Sequence, residues 1–216
     1  AYTEAIRLLK QALKADPNYK MARDNLAIAY NNYGLQLQST PMKALAQFHK
    51  AVLLNPDNPT TKQNVEGIIR SLNRDPNKFE DRVDLGDTCR KASDFAGAIG
   101  EYQAALSLRS DAKVWEKLGD VYRVANKLDD AVNAYETSFK LKPDAMCAVK
   151  LGQTLQTKKD IAKAIVAYGQ ALQLNSEDPE VLDALVAGWE AAIAENPVAP
   201  DNHIGLGQAL QLRGDF

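Results

Sequence analysis

Arg90 and Arg123 stand 33 residues apart, Gln156 follows after another 33, and Arg70 fills the same slot of the helical segment before them. A column of guanidinium groups at that spacing could grip carboxylates or peptide carbonyls bidentately. Arg90 and Arg123 also have a nearer candidate partner. Asp87 precedes Arg90 by three and Asp120 precedes Arg123 by three, the spacing of an ion pair within one helix. For any single arginine the intrahelical pair is the favoured reading.

Other reactive side chains are sparse. His49 and His203 are the only histidines, and neither has a partner motif. The chain has no His-Glu-x-x-His, no glycine-rich phosphate loop and no Gly-x-Ser-x-Gly elbow. Cys89 and Cys147 fall at unequal positions of the repeat, which argues against a disulfide or a metal pair. Cys89 takes the slot of Tyr122 and Leu155, so it is expected as a small buried hydrophobe. Acidic pairs such as Asp129-Asp130 sit at helix starts, where they complement the helix dipole. The expectation is therefore no catalytic residue, no metal, no cofactor and no enzymatic activity.

What must position these side chains is a repeat. Leu85-Gly86, Leu118-Gly119 and Leu151-Gly152 recur at a step of 33 residues, as do Ala98, Ala131 and Ala164, then Tyr102, Tyr135 and Tyr168. A period near 34 built from two helical patterns marks an array whose repeats bury their apolar faces against their neighbours. Glycine inside a helix costs up to about 1 kcal/mol against alanine, so close approach of the paired helix must offset it. The expected neighbours are Ala98, Ala131 and Ala164, with the tyrosines filling the space one turn on.

The best-preserved repeat reads Trp115, Leu118-Gly119, Tyr122, Ala131, Tyr135 and Pro143. It resembles the tetratricopeptide repeat, and the resemblance covers about four-fifths of the chain. Ankyrin repeats share the period, but their Thr-Pro-Leu-His signature is absent. The resemblance implies an all-α, right-handed superhelical solenoid of antiparallel helix pairs. It also implies a protein–protein interaction scaffold that holds a peptide or partner protein in a concave groove lined by first helices. Carried over to this chain, the groove positions are Asn25, Asn32, Asn64, Arg70, Arg90, Lys91, Lys117, Arg123, Lys150 and Gln153, with Asp87, Asp120 and Gln156 beside them. The residue set that clamps chaperone C-termini is matched only in part, by Lys113 and Lys117.

Irregularities interrupt the array. About five extra residues around Leu37–Pro41 predict a lengthened first helix followed by a helix starting at Pro41. Pro59 to Leu72 and Pro179 to Glu195 both look like first helices without a following second helix, and they lie 120 residues apart. Such a helix either inverts the up-down alternation near residues 73–78 or packs as a cap or spacer. Three segments follow: 1–73, 74–178 with three regular repeats, and 179–216. The chain opens at Ala1-Tyr2 and closes at Arg213–Phe216, at matching turns. It is accordingly read as a piece of a longer array, whose end helices could complement each other between molecules in a head-to-tail homo-oligomer. The targeting arm of an enzyme is the remaining alternative.

Over 216 residues the net charge of -2 offers no basic patch for nucleic acid. No apolar run approaches the length of a membrane span. Few cysteines, no Asn-x-Ser/Thr sequon and an acidic balance suit the cytoplasm, and a cysteine-poor periplasmic protein would look similar.

Overall fold

The structure, a computed structural model, describes residues 2–214; Ala1 and Asp215-Phe216, which carried part of the matching of the chain ends, lie outside the described residues. Among the described residues there are twelve α-helices and no strand. They form two compact units, residues 1–110 and 111–216. The first holds α1 (Tyr2–Ala15), α2 (Lys20–Gln36), α3 (Pro41–Leu54), α4 (Pro59–Ser71), α5 (Phe79–Lys91) and α6 (Phe95–Leu108). The second holds α7 (Ala112–Val124), α8 (Leu128–Leu141), α9 (Ala145–Thr157), α10 (Ile161–Leu174), α11 (Pro179–Glu195) and α12 (Pro200–Arg213).

Local chemistry sets the helix limits. The side chains of Asn58, Asp94, Asp111, Asp144 and Asp160 each accept the backbone N–H of the third residue on, at 2.9–3.4 Å. Pro41, Pro59, Pro179 and Pro200 occupy the first helical turn, where a missing N–H costs nothing. The first helices α5, α7 and α9 end at left-handed residues, Ser93 (φ 57°), Asn126 (φ 57°) and Lys159 (φ 64°). There the next N–H folds back onto the helix: Asp94 to Cys89, Lys127 to Tyr122 and Asp160 to Leu155, each 2.9 Å.

In each unit, helix pairs bury a seam. Within the first, α2 pairs with α3 and α5 with α6, while α1 covers α2 and α4 covers α3. Ala44, Leu45, Phe48, Val65, Ile68, Ile69 and Leu85 form one core cluster, and Ile6, Leu26, Ala29, Tyr30 and Ala51 another. Within the second, α7 pairs with α8 and α9 with α10, and α11 packs on α9, α10 and α12.

The repeated glycines do mark close approach, but the atoms they meet belong to the tyrosines. A Cβ on Gly86 would lie 2.5 Å from the Tyr102 ring and one on Gly119 2.7 Å from Tyr135, with Gly152 in the same position under Tyr168. A flat ring needs the width of a missing side chain opposite it, whereas an alanine methyl does not. In the lengthened α2 of 17 residues the same role passes to Gly34, whose Cβ would lie 2.6 Å from Phe48. That glycine is seven residues beyond Ala27, the slot that the repeat register assigns.

The two interrupting helices differ from each other. α4 ends like a first helix, with Asn73 left-handed at φ 57° and Arg74 N–H on Ile69 O at 3.2 Å, and the chain then goes directly to α5. α11 starts like α4 but ends like a second helix, its Asn196 at φ -138° beside Asn55 at -139° and Asn175 at -151°. Counted from the helix starts, the place that is left-handed at Asn73, Ser93, Asn126 and Lys159 falls on Ile193 in α11, and a β-branched side chain disfavours that conformation, so the helix continues. α11 therefore runs 17 residues and packs against α12. In the first unit, with no second helix after α4, α6 packs against α3, second helix on second helix.

Candidate functional site

The first helices carry the polar positions expected to bind a partner, and most of these side chains are tied to the fold. In the second unit Tyr135 donates to Asp120 Oδ1 at 2.8 Å, and Arg123 bonds the same hydroxyl. Burial first, then Asp120, push the phenol pKa up. Lys150 on α9 donates to Glu116 Oε1 at 2.7 Å and Asp120 Oδ2 at 3.0 Å on α7, joining the two first helices. Lys113 also reaches Glu116, at 2.7 Å. Burial alone would raise the Glu116 pKa, but its hydrogen bonds to Lys113 and Lys150 outweigh that and hold it below the ordinary value. Tyr168 donates to Gln156 Oε1 at 2.8 Å, and Gln156 passes a bond to Ala187 O of α11 at 3.3 Å. Arg123 and Gln153 remain exposed along this face, and Lys117 is half-buried.

The first unit repeats the motif once. Tyr102 donates to Asp87 Oδ1 at 2.6 Å and takes a bond from Arg90, so the aspartate and arginine expected to pair within the helix meet at a tyrosine hydroxyl. Arg70 pairs with Glu66 at 3.0 Å rather than with a residue of another helix. Asn64 donates to Asn31 at 2.9 Å, linking α4 to α2. Asn31 is the neighbour of Asn32, the residue that the groove register selects. Asn25, Arg90 and Lys91 are exposed and Asn32 is half-exposed.

The polar centre that sequence reasoning missed is buried. His49 Nε2 and Glu101 Oε1 are 2.7 Å apart, while Arg82 donates from Nη1 to Glu101 Oε2 at 2.9 Å and from Nε to Pro76 O at 2.8 Å. His49 is 3%, Glu101 0% and Arg82 8% exposed. Burial would raise the Glu101 pKa, yet His49 and Arg82 hold it below the ordinary value. Removing one member of such a set leaves a buried charge uncompensated, at about 3–5 kcal/mol. The signal was present in the register: Glu101 stands where later repeats have Ala134 and Ala167, and Arg82 where they have Trp115 and Ala148. His49 Nδ1 is buried without a hydrogen-bond partner. An orphan of that kind costs about 1–3 kcal/mol.

Comparisons with known proteins agree with this architecture. The family described as Tetratricopeptide repeat matches residues 83–145 and 116–180. No curated protein matches the chain by sequence. Among solved structures, the chain is similar to one titled "Crystal structure of MamA protein", with TM-score 0.55, 16% identity and coverage of 87% of this chain and 92% of that one. It is similar also to MamA 41-end from Desulfovibrio magneticus RS-1, with TM-score 0.53, 16% identity and coverage of 87% and 95%. At that identity the likeness concerns fold. Among the described residues no helix is long and apolar enough to cross a membrane. With the glycine–tyrosine seam repeated in register, left-handed turns closing α5, α7 and α9, and the family matched across residues 83–180, that part of the chain is built of tetratricopeptide repeats.

Proposed function

We propose that the chain is a protein-interaction scaffold, binding a peptide or partner protein along the faces of its first helices, and that it is not itself a catalyst. The observation that carries this reading is the α7–α9–α11 face. Lys150 and Gln156 lock these helices side by side, and Arg123 and Gln153 stay exposed on the surface so formed. A face whose lower layer is already satisfied can offer its outer donors at little ordering cost. The ligand class is an extended peptide with carboxylates or free carbonyls, which guanidinium and amide groups grip geometrically. In the first unit Arg90, Lys91, Arg70 and Asn25 would serve in the same way.

The test is a peptide-display selection on the intact chain, followed by fluorescence anisotropy with the recovered peptides. Arg123→Glu and Arg90→Glu should each weaken binding about tenfold or more, equivalent to at least about 1.4 kcal/mol. Equal affinity in both variants, with unchanged helicity, would reject the first-helix face.

A second reading, self-association, is favoured by α12, where Ile204 is 58% and Leu212 55% exposed. Sedimentation velocity over a concentration range separates it from the first. Association abolished by Ile204→Glu supports it, and a monomer at every concentration rejects it.

A further inference from the structure

The cluster that the scaffold reading leaves unused lies where α3, α5 and the start of α6 meet. A ring nitrogen of His49, the Cys89 sulfur and an Asp94 carboxylate oxygen lie within 4.8 Å of one another. Nε2 of His49 is held by Glu101, so Nδ1 is the nitrogen left to offer, and it is buried without a partner. Asp94 uses Oδ1 to cap α6 at Gly97 N–H, 3.2 Å, which leaves Oδ2 available. Gly97 keeps the space open: a Cβ there would lie 2.5 Å from Asp94 Oδ2 and 2.9 Å from the Cys89 sulfur.

We infer that His49 Nδ1, Cys89 Sγ and Asp94 Oδ2 form a site for one divalent cation of the zinc class. Imidazole, thiolate and carboxylate are the donors that zinc takes, at about 2.0–2.3 Å, and binding draws the three together. The His49–Glu101 bond is the carboxylate–histidine arrangement that orients a ligating imidazole and fixes its tautomer, with Arg82 in turn holding the carboxylate. Tyr33, Leu37, Met42, Gln47, Cys89 and Asp94 line a groove of ≈ 410 Å³, which supplies an entry path and a solvent position for a fourth ligand. Burial, Asp94 and Glu101 push the Cys89 thiol up to about 12, a cost that a bound dication reverses. On binding, the thiol proton goes to solvent and the sulfur bonds the metal. The cation would clamp α3 to the turn between α5 and α6, at the place where the second helix after α4 is missing.

The experiment uses the whole chain, dialysed against chelator and titrated with Co²⁺ and then Zn²⁺. The expected result is one equivalent bound per chain, a thiolate-to-cobalt charge-transfer band that Zn²⁺ bleaches, and a melting temperature raised by Zn²⁺. Cys89→Ala should abolish the band. Asp94→Asn keeps the helix cap, since asparagine caps as well as aspartate, and should weaken Co²⁺ binding about tenfold or more. Cys147→Ala and His203→Ala should keep both band and stoichiometry. Circular dichroism confirms that each variant is folded. The inference is overturned if wild type gives no charge-transfer band, if the band survives Cys89→Ala, or if it disappears with Cys147→Ala.

Discussion

Gly119 and Gly169 lie in the same unit and differ only in what faces them. A Cβ on Gly119 meets the Tyr135 ring at 2.7 Å, whereas one on Gly169 meets nothing within 4 Å. Gly119→Ala should therefore destabilise the protein by about 1–3 kcal/mol through overpacking. Gly169→Ala should stabilise it by about 0.5–1 kcal/mol through helix propensity. Urea titration of the two variants checks the pair, and the same sign for both would refute the packing account. The buried charges give a second residue-scale expectation. Glu101→Ala leaves Arg82 without its carboxylate and should cost about 3–5 kcal/mol in equilibrium unfolding. Replacing Glu101 and Arg82 together by apolar residues should cost clearly less, since no charge is then stranded.

Between elements, α7 and α9 are joined electrostatically, because Lys150 reaches from one to Glu116 and Asp120 on the other. Glu116 is held below the ordinary carboxylate value, so its contribution is present above the pKa of the unfolded chain and is lost as pH falls through the depressed folded value. The stability difference between wild type and Glu116→Gln should accordingly be largest near neutrality and shrink on acidification. A difference that stays constant from neutral pH to below the carboxylate range would show that Glu116 contributes nothing through its charge. The interrupting helices teach a related lesson at this scale. α4 and α11 begin alike, at Asn58-Pro59 and Asp178-Pro179, yet end differently. Asn73 tolerates the left-handed turn, whereas the β-branched Ile193 at the same distance from its helix start continues the helix.

For the whole chain, stability in a repeat protein is a sum of local terms rather than one central core. Residues 1–110 and 111–216 each enclose their own helix pairs and buried side chains. Each segment expressed alone should be helical and melt cooperatively, as followed by circular dichroism. A disordered segment 111–216 would show that its core depends on the rest of the chain.

Much of this was legible in the residues. The helix pairs, their starts at Asp, Asn and Pro, and the glycine slot follow from contacts between neighbouring segments, which the 33-residue register repeats and so writes into the sequence. The aromatic occupant of that slot was only partly legible, because periodicity shows which positions are small but not which atoms lie opposite. Gly34 and the Asn31–Asn64 bond escaped the register because α2 is longer than the other first helices of the helix pairs. The packing of α6 on α3, and with it the meeting of His49, Arg82, Glu101, Cys89 and Asp94, was decided by tertiary structure alone. His49 and Glu101 are 52 residues apart across the interruption after α4, a separation that the period does not describe. Only the folded chain, in which α6 rests on α3, brings an imidazole nitrogen near a thiol and a carboxylate.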